Sequence, residues 1–217
     1  MSSRLATTVL SLALAFGLVS LWPQLANVRL TGIQRGYEPE QPIRYSHRLH
    51  AGELQIPCQY CHSGAERSRH AGIPPVNVCM NCHKFVTAPL GMVRAEDDLA
   101  AKENRPPHRV VSAELRKLYD AVGLDENLQR DPGKQEHAIA WVKVYNVPDF
   151  AVFDHRPHVA AGVICQTCHG PVETMERMRQ VPDLTMGWCV NCHRDSNRTG
   201  IAGHAVRASL DCSGCHY

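Results

Sequence analysis

The chain opens on an apolar stretch. Residues 5–22 carry no charge and only scattered Ser and Thr. Eighteen residues at a rise of ~1.5 Å span about 27 Å, close to the hydrocarbon thickness of a bilayer. Arg4 precedes the stretch, and Trp22-Pro23 ends it where an interfacial aromatic is favoured. A cleaved signal peptide would share these features. However, the stretch is long for such a segment, and no Ala-x-Ala cleavage site follows. The pattern predicts a retained transmembrane signal anchor over residues 1–25.

Beyond it the hydrophobic pattern breaks into short pieces. Residues 26–44 read as an extended lead-in with turn signals at Gly32, Gly36 and Pro39. Ser46 is placed to cap a short helix carrying His47 and His50, which would lie about 4.5 Å apart along its axis. Asp154 takes the same place before His155 and His158, with Pro157 in a first turn where a missing N–H costs little. Between Ser68 and Pro75, the Pro74-Pro75 pair excludes a long helix. Ser112 to Gly123 has a serine cap, an amphipathic run and a glycine stop, which predicts a helix. Residues 140–148 are β-prone and predict an edge strand ending at Pro148. The expected fold is mostly irregular with small helices and little sheet.

The cysteines change this picture. All ten lie in five Cys-x-x-Cys-His motifs: Cys58, Cys61 and His62; Cys79, Cys82 and His83; Cys165, Cys168 and His169; Cys189, Cys192 and His193; Cys212, Cys215 and His216. This spacing is the attachment signal of c-type haem, in which both thiols bond the porphyrin edge and the histidine binds iron from one face. Zinc is the competing reading, because Cys61 to Cys79 and Cys168 to Cys189 fall near zinc-ribbon spacing. A ribbon needs no histidine after each pair, and the fifth pair would lack a partner. Five haems (haem c, iron) are expected, with no cysteine left for a structural disulfide or a lipid anchor.

Five irons need ten axial ligands, and the motifs supply His62, His83, His169, His193 and His216. The repeated pairs His47/His50 and His155/His158 are assigned as distal ligands, each histidine of a pair serving a different iron. For the fifth distal position His70 is the first choice, because a Pro/Gly-rich turn holds it between two motifs. Met175 is the runner-up, and Met178 and Met186 are weaker candidates. A methionine ligand would raise that haem's potential. His108, His137 and His204 are expected to be surface or hydrogen-bonding residues. With every axial position filled there is no open site for a substrate, so electron relay is expected and a catalytic residue is not.

The chain therefore reads as an internally duplicated two-haem unit. Its expected parts are the anchor at 1–25, a first two-haem unit at 26–83, a haem-free insertion at 84–150, a second two-haem unit at 151–193 and a terminal fifth haem at 194–217. The insertion is either a docking segment for another subunit or a solvated loop covering haem edges. Aromatic content is only 6%, so the porphyrins themselves are expected to form much of the apolar interior. A formal charge of +2 without a basic run gives no indication of nucleic-acid binding. Covalent haem attachment occurs outside the cytoplasm, which puts everything past a single-pass anchor on the periplasmic side of the cell (inner) membrane.

His-x-x-His followed by Cys-x-x-Cys-His resembles class III multihaem cytochromes c, whose paired histidines ligate different haems. Closer still, several features are similar to the pentahaem cytochrome c component of bacterial alternative complex III. They are the anchor, the five motifs, Ser68-Arg-His70-Ala-Gly-Ile-Pro-Pro75, Val147-Pro-Asp-Phe150 and Leu184-Thr-Met-Gly-Trp-Cys189. The resemblance covers nearly the whole chain and is least diagnostic over residues 95–135. It implies an electron-transfer subunit of a quinol-oxidising membrane complex. The implied partners are a polytopic membrane subunit, an iron–sulfur subunit, a monohaem cytochrome c subunit, and a periplasmic cytochrome c or blue-copper acceptor. Two other readings remain: a stand-alone, membrane-anchored multihaem quinol dehydrogenase feeding a periplasmic reductase, and a catalytic multihaem reductase.

Overall fold

The computed structural model describes residues 3–26 and 34–216. The expected turn at Gly32 lies outside them. The first element is a 24-residue helix, α1 (Ser3–Ala26). Its segment Arg4–Trp22 is long and apolar enough to cross a membrane. Phe16 and Trp22 are about three-quarters exposed, so this apolar surface is not used in packing against the rest of the chain.

The remaining helices are short: α2 (Cys58–Cys61), α3 (Val76–His83), α4 (Leu90–Lys102), α5 (Ala113–Ala121), α6 (His155–Ala160), α7 (Cys165–His169) and α8 (Met186–Thr199). Among the described residues β-pairing is confined to isolated bridges, at Leu124–Arg130, Ala151–His216 and Ile201–His204. A mostly helical, largely irregular chain is thus what the broken hydrophobic pattern produces.

Several local expectations are met atom for atom. Ser112 Oγ accepts from Leu115 N–H at the start of α5, and Gly123 follows its end in the left-handed region at φ 68°. Asp154 Oδ1 accepts from Arg156 N–H at the start of α6. Ser46 Oγ likewise accepts from Leu49 N–H. The turn that Ser46 opens is not an α-helix, however. Residues Arg48–Glu53 form a π-helical turn, closed by a hydrogen bond from Leu54 N–H to the Leu49 carbonyl. Its Gly52 lies so close to the Glu173 carbonyl that a Cβ there would sit 2.3 Å from the oxygen. The wider turn brings the backbone against a second segment of chain.

The strand expected at 140–148 does not form. Gln41 accounts for the difference: its side-chain amide donates to the Val142 carbonyl and accepts from the Val142 N–H. One side chain satisfies the backbone groups that a neighbouring strand would otherwise pair. Helix α4 has no counterpart among the sequence-based expectations. It starts after Pro89, without a side-chain cap, and Gly91 weakens its local signal.

Residues 84–150 are more than a solvated loop. Val111, Leu118 and Tyr119 form a buried cluster against which Ile43, Val76, Cys79 and Met80 pack. Tyr119, 1% exposed, donates its hydroxyl to the His83 carbonyl at 2.6 Å. The amphipathic face of α5 is thus spent on the second Cys-x-x-Cys-His motif.

Candidate haem-binding site

Each attachment motif occupies about one helical turn. Cys58 opens α2, Cys165 opens α7, the second and fourth motifs lie within α3 and α8, and Cys212 starts a 3₁₀ turn, Cys212–Gly214. Residues i, i+3 and i+4 of a helical turn share a face, so the two thiols and the histidine project to one side. None of the ten cysteines is joined in a disulfide, and all sit at exposed or partly exposed positions.

The paired histidines meet the motif histidines in a repeated arrangement. His155 and His169 have ring centres 6.4 Å apart and planes within 4° of parallel. His158 and His193 are 6.0 Å apart, and His50 and His83 are 6.1 Å apart. Metal–imidazole bonds of about 2 Å on either side of one iron, plus the ring radii, separate ring centres by about 6 Å. In the second half the first histidine of the pair faces the third motif and the second faces the fourth. In the first half His50 faces the second motif, while His47 has His62 among the charges around it.

Hydrogen bonds at the other ring nitrogen fit the same role. A metal-bound imidazole usually gives its second N–H to a carbonyl or carboxylate, which fixes the tautomer and the ring plane. Nδ1 meets a main-chain carbonyl in His62 (Gly72), His83 (Val86), His193 (Ser209) and His216 (Phe150). The same holds for His50 (Ser46), His155 (Arg69) and His158 (Asp154). All seven are left with Nε2 free to point at an iron. His47 differs, with a buried Nδ1 that has no hydrogen-bond partner.

Burial keeps two of the rings, His47 and His169, neutral, as ligation requires. Burial, followed by the neighbouring imidazoles of His62 and His50, lowers the His47 pKa to about 4. Burial and the rings of His155, His62 and His47 do the same for His169, again to about 4. Burial pushes several motif thiols up, and nearby thiols add to it. Cys61 has Cys82 beside it, Cys165 has Cys58, Cys168 has Cys192, and Cys189 has Cys215. The motifs therefore adjoin in the order second, first, third, fourth, fifth.

The join between first and third is reciprocal. Arg48 N–H donates to the Met175 carbonyl just after the third motif. Conversely His155 N–H and Nδ1 both meet the Arg69 carbonyl just after the first motif, and Arg69 Nε donates to the Phe153 carbonyl.

The remaining expected residues are scattered. His216 stacks on Phe150 at 5.8 Å and lies in the bridge to Ala151. His70 is exposed, next in sequence to Arg69 on the segment that meets Phe153 and His155. Met175 is 7% exposed and tied through its carbonyl to the turn carrying His50. Met186 begins α8 and is 69% exposed, and Met178 is half-buried. His108, His137 and His204 are all exposed. Among the described residues no group of three or more His, Cys, Asp or Glu is gathered as a zinc ribbon would need.

Comparison with known proteins agrees with this geometry. Residues 151–217 match the family described as cytochrome c7 and related cytochrome c. Over 199 residues, covering 82% of this chain and 78% of the other, the sequence is 26% identical to a protein of Nitratidesulfovibrio vulgaris. That protein is described as the multiheme cytochrome c subunit of menaquinone reductase. The fold is that of a multihaem cytochrome c. Ten cysteines, consistent with several covalent haem attachments, are spread along an irregular scaffold preceded by one long apolar helix.

Two side chains escape a reading of the sequence. Tyr45 and Phe153, each two residues before its histidine pair, lie against both imidazoles of that pair. The signal is present as a repeated aromatic-x-His-x-x-His. A motif search centred on cysteine gives it no weight.

Proposed function

We propose that the chain is a pentahaem, membrane-anchored electron-relay subunit of a quinone-linked respiratory oxidoreductase of the alternative complex III kind. The observation that carries this reading is the set of three imidazole pairs with ring centres 6.0–6.4 Å apart, each joining a paired histidine to a different motif histidine. When bound, c-type haem supplies one-electron exchange at its iron without taking up a substrate. The chain's residues do the rest. The thiols would tether each group, the motif histidines with His47, His50, His155 and His158 would supply nine of the ten iron ligands, and main-chain carbonyls would orient the rings. His70 is favoured as the fifth distal ligand. Residues 150–155 carry the contacts to His216 at one end and to Arg69 at the other, which brings the His70 segment toward the fifth motif. Met175 is second, because it is tied to the first histidine pair instead.

Helix α1 would anchor the chain in the cell (inner) membrane with the haem sites on the periplasmic side. It holds no ionisable residue after Arg4. Quinone chemistry, which moves protons with electrons, would then belong to partner subunits. Those are a monohaem cytochrome c, a polytopic membrane protein and an iron–sulfur protein. In the quinol-oxidising direction a periplasmic cytochrome c or copper protein would be the acceptor. The similarity to a menaquinone reductase subunit supports a quinone link and favours a second reading, in which electrons run toward the quinone.

Two measurements on the purified native complex test this. The reduced protein should show five low-spin haems per chain and bind carbon monoxide at a negligible fraction of them. Substantial binding would mean an open, catalytic haem. Adding quinol anaerobically should reduce the haems in the complex but not in the separated chain. Haem reduction by quinol in the separated chain would instead identify a stand-alone dehydrogenase. A complex whose haems quinol leaves oxidised, but which passes electrons from a reduced periplasmic donor to quinone, would run in the reverse direction.

A further inference from the structure

The ring of Tyr45 stacks on His50 with centres 4.4 Å apart and planes 23° apart, and meets His47 edge-on at 4.9 Å and 83°. Phe153 repeats both contacts in the other half. It lies 4.8 Å from His158 at 31°, and 4.8 Å from His155 at 85°. In each half one aromatic ring touches both imidazoles of the pair, and in the second half these two face different motif histidines. Stacked and edge-to-face arrangements are the two that aromatic quadrupoles favour, so both contacts are held and neither is incidental crowding.

An imidazole bound through Nε2 can still turn about the metal–nitrogen bond. Its plane is fixed by whatever holds the rest of the ring. For His50, His155 and His158 a carbonyl at Nδ1 does part of this. His47 has no such bond, and its Nδ1 is buried without a partner. For that ring the edge contact with Tyr45 stands where the other three have a hydrogen bond as well. The two halves therefore share one device but do not depend on it equally.

We propose that Tyr45 and Phe153 are positioning residues, each a single ring that sets the planes of two distal imidazoles belonging to two different haems. The two haems of a pair are thereby linked through one side chain, in addition to the short helical turn that carries their ligands. The first half depends on this more, because His47 has no second hold. The hydroxyl of Tyr45 is not needed for it, since Phe153 makes the same contacts without one.

The inference rests on the ligand assignment proposed above, and the test separates the two. In the intact complex, His47→Ala, His50→Ala, His155→Ala and His158→Ala should each convert one low-spin haem signal to high-spin in the oxidised electron paramagnetic resonance spectrum. This assigns each signal. If none converts, the ligand assignment is wrong whatever the aromatic rings do. With signals assigned, Tyr45→Leu should shift the largest g value of the two haems served by His47 and His50, more for His47, while all five remain low-spin. Tyr45→Phe should leave both at the native value. Phe153→Leu should shift the His155 and His158 signals by less. Ligand variants that convert as expected, beside a Tyr45→Leu spectrum that is unchanged or shifted at one haem only, would overturn the proposal. Should Tyr45→Leu fail to assemble, Tyr45→Met fills most of the volume without a ring and must give the same paired shift.

Discussion

His155 Nδ1 lies 2.9 Å from the carbonyl oxygen of Arg69, across the join between the two halves of the duplication. A histidine proposed as an iron ligand in the second half thus meets the backbone of the first. Arg48, beside the first histidine pair, returns the bond by donating its N–H to the Met175 carbonyl at 2.9 Å.

The tightest point of that join is Gly52, where an added Cβ would meet the Glu173 carbonyl carbon at 3.3 Å as well as its oxygen. Both atoms are backbone and cannot rotate away. Gly52→Ala should cost on the order of 1–3 kcal/mol, the usual range for overpacking. Denaturant unfolding of the haem-loaded protein would read this. An unchanged midpoint would show that the two segments slide apart freely.

Tyr119 is nearly fully buried and donates to the His83 carbonyl. Tyr119→Phe leaves that carbonyl without its donor, at a cost of about 1–2 kcal/mol. Ser112→Ala, which removes the cap of α5, should cost about 1 kcal/mol. Both act on the helix packed against the second motif. Local hydrogen exchange around α3 should therefore rise in both variants, while exchange around α8 stays at the native rate.

Glu96 takes a hydrogen bond from Arg105 and another from the His108 N–H, with its side chain only 15% exposed. The Arg105 bond is the largest cause, followed by that of His108, in lowering its pKa from the ordinary 4.5 to about 2. A carboxylate whose folded pKa is depressed contributes stability above its unfolded pKa and loses it as pH falls through the folded one. Glu96→Gln should therefore lower the melting temperature at neutral pH. The difference from native protein should shrink between pH 4.5 and 2. A difference that persists at the acid end of that range would mean the loss is one of packing and not of charge.

The haem sites are legible in the chain because covalent attachment demands a fixed local spelling. Two thiols and a histidine must share one helical turn, so Cys58 to His62 and its four counterparts are readable at any distance from a partner. The caps at Ser46, Asp154 and Ser112 are legible for the same reason, since their hydrogen bonds close within three residues. What cannot be read is decided by residues far apart. Gln41 satisfies Val142 across the chain, which removes the need for a strand. The π-helical turn at Arg48–Glu53 faces Glu173, a residue of the other half. Helix α4 has its Arg105–Glu96 clasp just beyond its end, where no periodicity reports it. The histidine pairs are visible, and so is the aromatic residue two places before each, but its contact with both imidazoles is not, because spacing alone does not say what a ring touches.

The reciprocal bonds at Arg48 and Arg69 give the chain the logic of a two-fold dimer whose protomers happen to be fused. Each half offers the other the same kind of surface: the turn that bears its histidine pair, and the segment that trails its leading motif. Residues 84–150 act in this arrangement as the tether between two interlocked copies. A half released from the tether keeps a face shaped for its twin. The duplication did not lengthen a wire by adding a bead to its end. It set the turn that bears each histidine pair against the segment that trails the other half's leading motif.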